Sequence, residues 1–141
     1  MDVILYHNPA CATSRNVLGL IRNAGVEPHV IDYLRSPPTR IMLIHLIANM
    51  GLTPRQLLRE NKELYSQHGL SDSQCSDSQI LAAMMDDPLL INRPIVVSPK
   101  GVRLCRPSEK VLDLLPPQRG EFFKEDGERI IDQHGRLVAT A

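Results

Sequence analysis

The chain has 141 residues, 43% of them hydrophobic, 23% charged and 4% aromatic, and its 16 lysines and arginines balance 16 aspartates and glutamates. That length suits one domain with its own core. Zero net charge without a lysine-rich block leaves no general footprint for nucleic acid or an acidic membrane surface, and no apolar run approaches the ~20 residues of a membrane span.

Val3-Ile4-Leu5-Tyr6 reads as a buried strand that runs into the loop His7-Asn8-Pro9. Thr13 or Ser14 is placed to cap a helix, in which Val17, Leu18, Ile21 and Ala24 recur at helical spacing before Gly25. Val30 to Leu34 is a second strand, closed by Ser36-Pro37-Pro38. Strand, helix, strand in about 30 residues is a βαβ unit with parallel strands. Residues 39–87 read differently, as a helical insertion. Thr39 caps an apolar stretch from Ile41 to Met50, and Thr53-Pro54 puts proline at a first helical position. Glu60 to Ser76 is polar and irregular, and Asp77 or Ser78 caps Ile80 to Met85. Strand patterns return at Ile95-Val96-Val97 and Val102 to Arg106, with Ser98-Pro99-Lys100-Gly101 as the turn of a hairpin. A last helix starts at Ser108 and ends at Pro116-Pro117, and the charged tail from Gln118 carries no clear element. The order predicts an α/β fold: a thioredoxin-like mixed sheet flanked by helices, with the insertion between βαβ and ββα halves of a single domain, 1–141. In that layout Pro94 stands where a cis-proline faces the reactive sulfur.

Three cysteines are too few, and an odd number, for a secreted disulfide scaffold. The N-terminus lacks the basic start and long apolar run of a signal peptide, so the expected location is the cytoplasm. Cys11 follows the first strand in a proline-punctuated turn at a helix start, where free N–H groups stabilise a thiolate or hold an oxyanion. His7 and Arg15 stand four residues to either side as local cations. Ser14 occupies the place of a second redox cysteine, and Val17 that of a phosphatase-loop arginine, so neither chemistry fits. A lone thiol needs an outside reductant, or Cys75 or Cys105 brought close by the fold. Cys105 reads as a half-buried strand residue and Cys75 as a loop residue. The histidines show no metal-ligand spacing. Arg59, Arg93 and Arg106 lie at element ends; each taken singly reads as a solvated charge, and together they would suit a tetrahedral oxyanion.

The blocks Tyr6 to Asn16, Leu57-Leu58-Arg59, Leu90 to Val97 and Arg103 to Ser108 closely resemble the glutaredoxin-linked arsenate reductases, in order and separation as well as residues. The first block is shared more loosely with thioredoxin-fold regulators; the joint presence of Arg59, Arg93 and Arg106 is the specific part. The resemblance implies reduction of arsenate to arsenite through a covalent arsenic adduct on Cys11. It implies that His7 and Ser14 tune or hydrogen-bond the thiolate, and that Arg59, Arg93 and Arg106 hold arsenate oxygens. It further implies glutathione as co-substrate, glutaredoxin as partner, no bound cofactor, and turnover without Cys105. Two alternatives share the fold: a non-enzymatic transcriptional regulator that docks a protein partner, and a general monothiol, glutathione-dependent oxidoreductase. The chain departs from the family in Arg40 to Ile44, which lacks acidic residues in the first helical turn, and at Leu64. The apolar positions of that helix cover more than one face, as expected of a helix buried on both sides, or else of one carrying an exposed patch for a partner.

Overall fold

The computed structural model describes residues 1–138. The chain divides into two compact units: residues 1–31 with 93–138, and residues 32–92.

The first unit is built on β1 (Ile4–His7), α1 (Ala12–Asn23), β2 (His29–Asp32, whose last residue falls in the second unit), β3 (Ile95–Ser98) and β4 (Gly101–Leu104). They form one mixed four-stranded sheet in the order β2-β1-β3-β4. β1 and β3 are antiparallel, with Leu5 opposite Val96. β3 and β4 form the expected hairpin, Ile95 opposite Leu104 and Ser98 opposite Gly101. Gly101 has φ 146°, a conformation that glycine adopts without strain and other residues rarely do. Val17, Leu20, Ile21 and Ala24 make one face of α1 and pack into a core with Val3, Leu5, Val96, Val111 and Leu114. That 3.6-residue recurrence is what makes this segment a helix.

Several elements differ from the sequence expectation. The segment from Ser108 is a 3₁₀ helix, Ser108–Leu114, cut short before Pro116-Pro117. The tail folds: β5 (Phe122–Phe123) and β6 (Arg129–Ile131) form a second hairpin, whose Ile130 and Ile131 join the core. Cys105 is not half-buried but fully enclosed, because β4 ends at Leu104 and the next side chain turns inward. Both Arg93–Pro94 and Arg106–Pro107 are cis peptides.

The second unit holds α2 (Arg40–Asn49), α3 (Pro54–Leu57), α4 (Lys62–His68) and α5 (Asp77–Asp86). Thr39 Oγ1 accepts from Met42 N as the cap of α2. Thr53 and Ser76 each form a capping box, with Gln56 and Gln79; the cap of α5 is therefore Ser76, one residue before the expected Asp77. α4 forms where the sequence predicts irregular structure: none of its residues is buried, so no apolar period marks it. Its signals are the Asn61 cap and Gly69, which ends it in the left-handed conformation. α2 buries Leu43, Leu46 and Ile47 but leaves Ile41, Met42 and Ile44 exposed, so it is not buried on both sides. Among the described residues no helix is long and apolar enough to cross a membrane.

Candidate active site

β1 ends in a loop that delivers Cys11 to the start of α1. Asn8 sets that loop: its Oδ1 accepts from Ala10 N at 3.0 Å, and its carbonyl accepts from Cys11 N at 3.0 Å. This Asx turn, with Pro9 after it, aims the chain into the helix. Cys11 is itself the N-cap of α1, in extended backbone with no side-chain cap. Thr13 and Ser14, expected as caps, lie inside the first turn of α1. The helix therefore begins with its N–H groups beside a sulfur rather than beside a capping oxygen.

Ser14 is fully buried. Its Oγ lies 2.6 Å from His7 Nδ1 and accepts from Asn8 N at 3.1 Å. Its backbone N–H donates toward Cys11. His7 and Ser14 thus fasten the end of β1 to the first turn of α1, and this fastening fixes where the N–H groups point.

From the other side comes the β3–β4 hairpin. The register that pairs Ile95 with Leu104 carries the flanking Arg93 and Arg106 together. Arg106 Nη1 donates to the Arg93 carbonyl at 3.2 Å and to Cys11 Sγ at 3.6 Å. The Cys11 thiol is half-buried. Burial pushes its pKa up, but the Ser14 N–H and the guanidinium groups of Arg93 and Arg106 outweigh burial, and it falls from 9.0 to about 7. Near neutral pH the sulfur is therefore much more readily ionised than an ordinary thiol.

The structure brings Cys11, His7, Ser14, Arg93 and Arg106 together in one unit. Arg59 stands in the other unit, half-buried just after α3, where its N–H donates to the Leu90 carbonyl at 2.7 Å. Arg15 is exposed; it holds the Pro9 carbonyl through Nη1 at 2.7 Å and pairs with Glu125. Asn8 was missed as a site residue, although Asn-Pro after a strand is a turn signal that could have marked it. Cys75 is half-buried in the second unit, its thiol donating to the Gly69 carbonyl at 3.0 Å. Among the described residues no cluster of histidine, cysteine and carboxylate side chains is arranged to hold a metal.

A thiol of lowered pKa at a helix start with two guanidinium groups beside it can attack an electrophilic oxyanion and stabilise the charge that develops. Comparison with known proteins points to one family. The ArsC family model matches residues 6–114. An arsenate reductase of Yersinia enterocolitica is 57% identical over 138 residues, 97% of this chain and 98% of its own length. One from Escherichia coli K12 is 54% identical over the same shares of both chains. Among solved structures, the arsenate reductase from Vibrio cholerae superposes with a TM-score of 0.77 at 45% identity, over 82% of this chain and 98% of its own.

Proposed function

The chain belongs to the ArsC family, and we propose that Cys11 is the nucleophile with which it reduces arsenate to arsenite. The arrangement of Arg106 Nη1 3.6 Å from Cys11 Sγ carries this reading, with the thiol lowered to about 7.

Arsenate near neutral pH carries roughly two negative charges, as phosphate does, so it repels an approaching thiolate. Arg93 and Arg106 offset that repulsion and bind the oxygens through planar forks that match a tetrahedral anion. Sulfur attack on As(V) forms the Cys11 S–As bond, and an arsenate hydroxyl leaves as water, with one proton taken up from solvent. His7 and Ser14 keep the loop and the helix start in place while this happens. The lowered pKa supplies thiolate near neutral pH without a dedicated general base.

The adduct still holds As(V), and two electrons must come from outside. We assign them to two thiols, glutathione and glutaredoxin. Glutathione forms a second S–As bond as another arsenate oxygen leaves as water; a glutaredoxin thiolate then attacks the glutathione sulfur, that S–As bond breaks with its electron pair passing to arsenic, and the mixed disulfide departs as As(V) becomes As(III). Water then releases arsenite and restores the Cys11 thiol. Cys105 has no place in this sequence, since it is sealed in the core. Glutathione, which is consumed rather than bound as a resident group, makes the reducing cytoplasm the fitting location. The second unit fits an insertion within a single domain. Residue for residue, a docking protein has no use for a lowered thiol pKa beside two arginines, and a general deglutathionylating enzyme has none for an oxyanion cradle.

The test is arsenate-dependent NADPH oxidation through glutathione reductase, with glutathione and glutaredoxin supplied. The expected rate needs all three of arsenate, glutathione and glutaredoxin. A rate that is unchanged without arsenate, or that persists without glutathione, overturns the reading.

A further inference from the structure

The C-terminal hairpin lies past the residues that match the family model, and its tip reaches back to the site from two directions. Lys124-Glu125 begins the turn, which Lys124 and Gly127 close by a backbone hydrogen bond of 2.9 Å. The Glu125 carboxylate accepts from Arg15 Nε at 2.7 Å and from Arg15 Nη2 at 3.0 Å, while Glu125 N donates to Asn16 Oδ1 at 3.0 Å. The third arm of the same guanidinium, Nη1, holds the carbonyl of Pro9, two residues before the nucleophile. The neighbouring residue does the corresponding thing on the other side. Lys124 Nζ lies 3.7 Å from Glu109 Oε1 and 3.0 Å from Glu128 Oε2. Glu109 is in the first turn of the 3₁₀ helix, three residues past Arg106, and also accepts from Ser108 Oγ at 2.8 Å.

An exposed ion pair alone contributes little to stability; the importance of these two lies in which segments they join. One is anchored to the loop that carries Cys11, the other to the segment that carries Arg106. We propose that Lys124-Glu125 is a clasp that sets the separation of the Cys11 loop and the Arg106 segment, with Glu125 acting through Arg15 as a positioning residue for arsenate reduction. The clasp matters because the contact it serves is long. At 3.6 Å the Arg106–sulfur interaction has little distance to lose. This inference rests on the reading of Cys11 as the nucleophile.

Geometry and simple charge make opposite predictions for Glu125→Gln. The charged groups acting on Cys11 are Arg93 and Arg106 and, more weakly, Arg15, whose own carboxylate partner is Glu125. If Glu125 were only a nearby negative charge, its removal would leave Arg15 uncompensated and lower the Cys11 pKa. If it positions the loop, its removal lets Arg15 leave Pro9, loosens the approach of Arg106, and raises that pKa. The experiment is the pH dependence of iodoacetamide alkylation in a Cys75→Ser background, where Cys11 is the accessible thiol, together with kcat and KM for arsenate. For Glu125→Gln we expect the alkylation midpoint to rise and kcat to fall several-fold, with the unfolding temperature nearly unchanged. Lys124→Met, which opens the other arm, is expected to act in the same direction. Glu125→Gln is expected to have no further effect once Arg15→Met is present. A midpoint that falls or stays in place, or an unchanged kcat, overturns the proposal. Absence of turnover in the parent protein would instead refute the arsenate reading, and alkylation would still report on the clasp.

Discussion

Cys11 and Cys105 lie in the same unit of the same chain, each within a few residues of a basic side chain in sequence, and their thiols titrate in opposite directions. At the head of α1, burial is outweighed by the Ser14 N–H and the forks of Arg93 and Arg106, and the thiol falls to about 7. At the end of β4, burial dominates; Arg103 and Lys110 only weakly oppose it, and the thiol rises to about 12. Nearness in sequence does not decide the matter. Arg106 follows Cys105 directly, yet its guanidinium reaches across to Cys11. Arg103 spends its charge on Asp113, at 2.7 Å. A cationic neighbour ionises a thiol only where its donors point at the sulfur and where the sulfur is not sealed from water.

The contrast can be broken most severely at Cys11, the proposed nucleophile. Cys11→Ser should reduce arsenate turnover by on the order of 10³-fold or more, as loss of a nucleophile does in other enzymes, while leaving the fold intact by circular dichroism. Next comes the cradle. Arg106→Lys and Arg93→Lys keep the charge but lose the fork, and each should cost about ten- to a hundredfold in kcat/KM for arsenate, the size expected when charged hydrogen bonds are lost. Both should also move the Cys11 titration upward; a variant that lowers kcat/KM without moving that titration would separate substrate binding from thiolate stabilisation. A smaller effect comes from pH in the unaltered protein. The thiolate is the reactive form, so alkylation of Cys11 should rise with pH through about 7 and level off above it, whereas Cys105 should stay unmodified across that range.

The parts of this contrast that could be read from sequence are those written in local pattern. The β3–β4 hairpin followed from its proline and glycine at the turn, whereas the approach of Arg93 and Arg106 is not visible in spacing alone and comes with the register of the pairing. The helix starts at Thr39 and Thr53-Pro54 were legible because capping is a side-chain signal. Cys11 as a cap was not, since cysteine is a poor capping residue and Thr13 and Ser14 offered better ones. The meeting of Cys11 with Arg106, 95 residues away, depends on β3 pairing with β1, and no local pattern encodes that pairing. α4 escaped because a helix with no buried face has no apolar period to detect. The second hairpin escaped because charges crowd its tip and mask the Ile130-Ile131 pair that anchors it.

The gentlest test concerns Cys105, which should matter to stability and not to chemistry. Cys105→Ala should leave turnover at pH 7 nearly unchanged, since the thiol is enclosed in the core and supplies no electrons. At that pH the lost sulfur should cost about 1 kcal/mol as a small cavity, measured by urea unfolding. The cost should shrink as pH rises, for a reason of sign. In the unfolded chain this thiol ionises near its ordinary 9.0, but in the folded chain it holds its proton to about 12. Its raised value therefore favours the folded state fully below 9.0, and that advantage is lost as pH climbs toward 12. The alanine variant has no such proton to hold, and Cys11 contributes equally to both proteins. The two stability curves should approach each other between pH 9 and pH 10. Curves that stay parallel there would mean that the core does not keep this sulfur neutral, and that the opposition between the two cysteines is weaker than their surroundings imply.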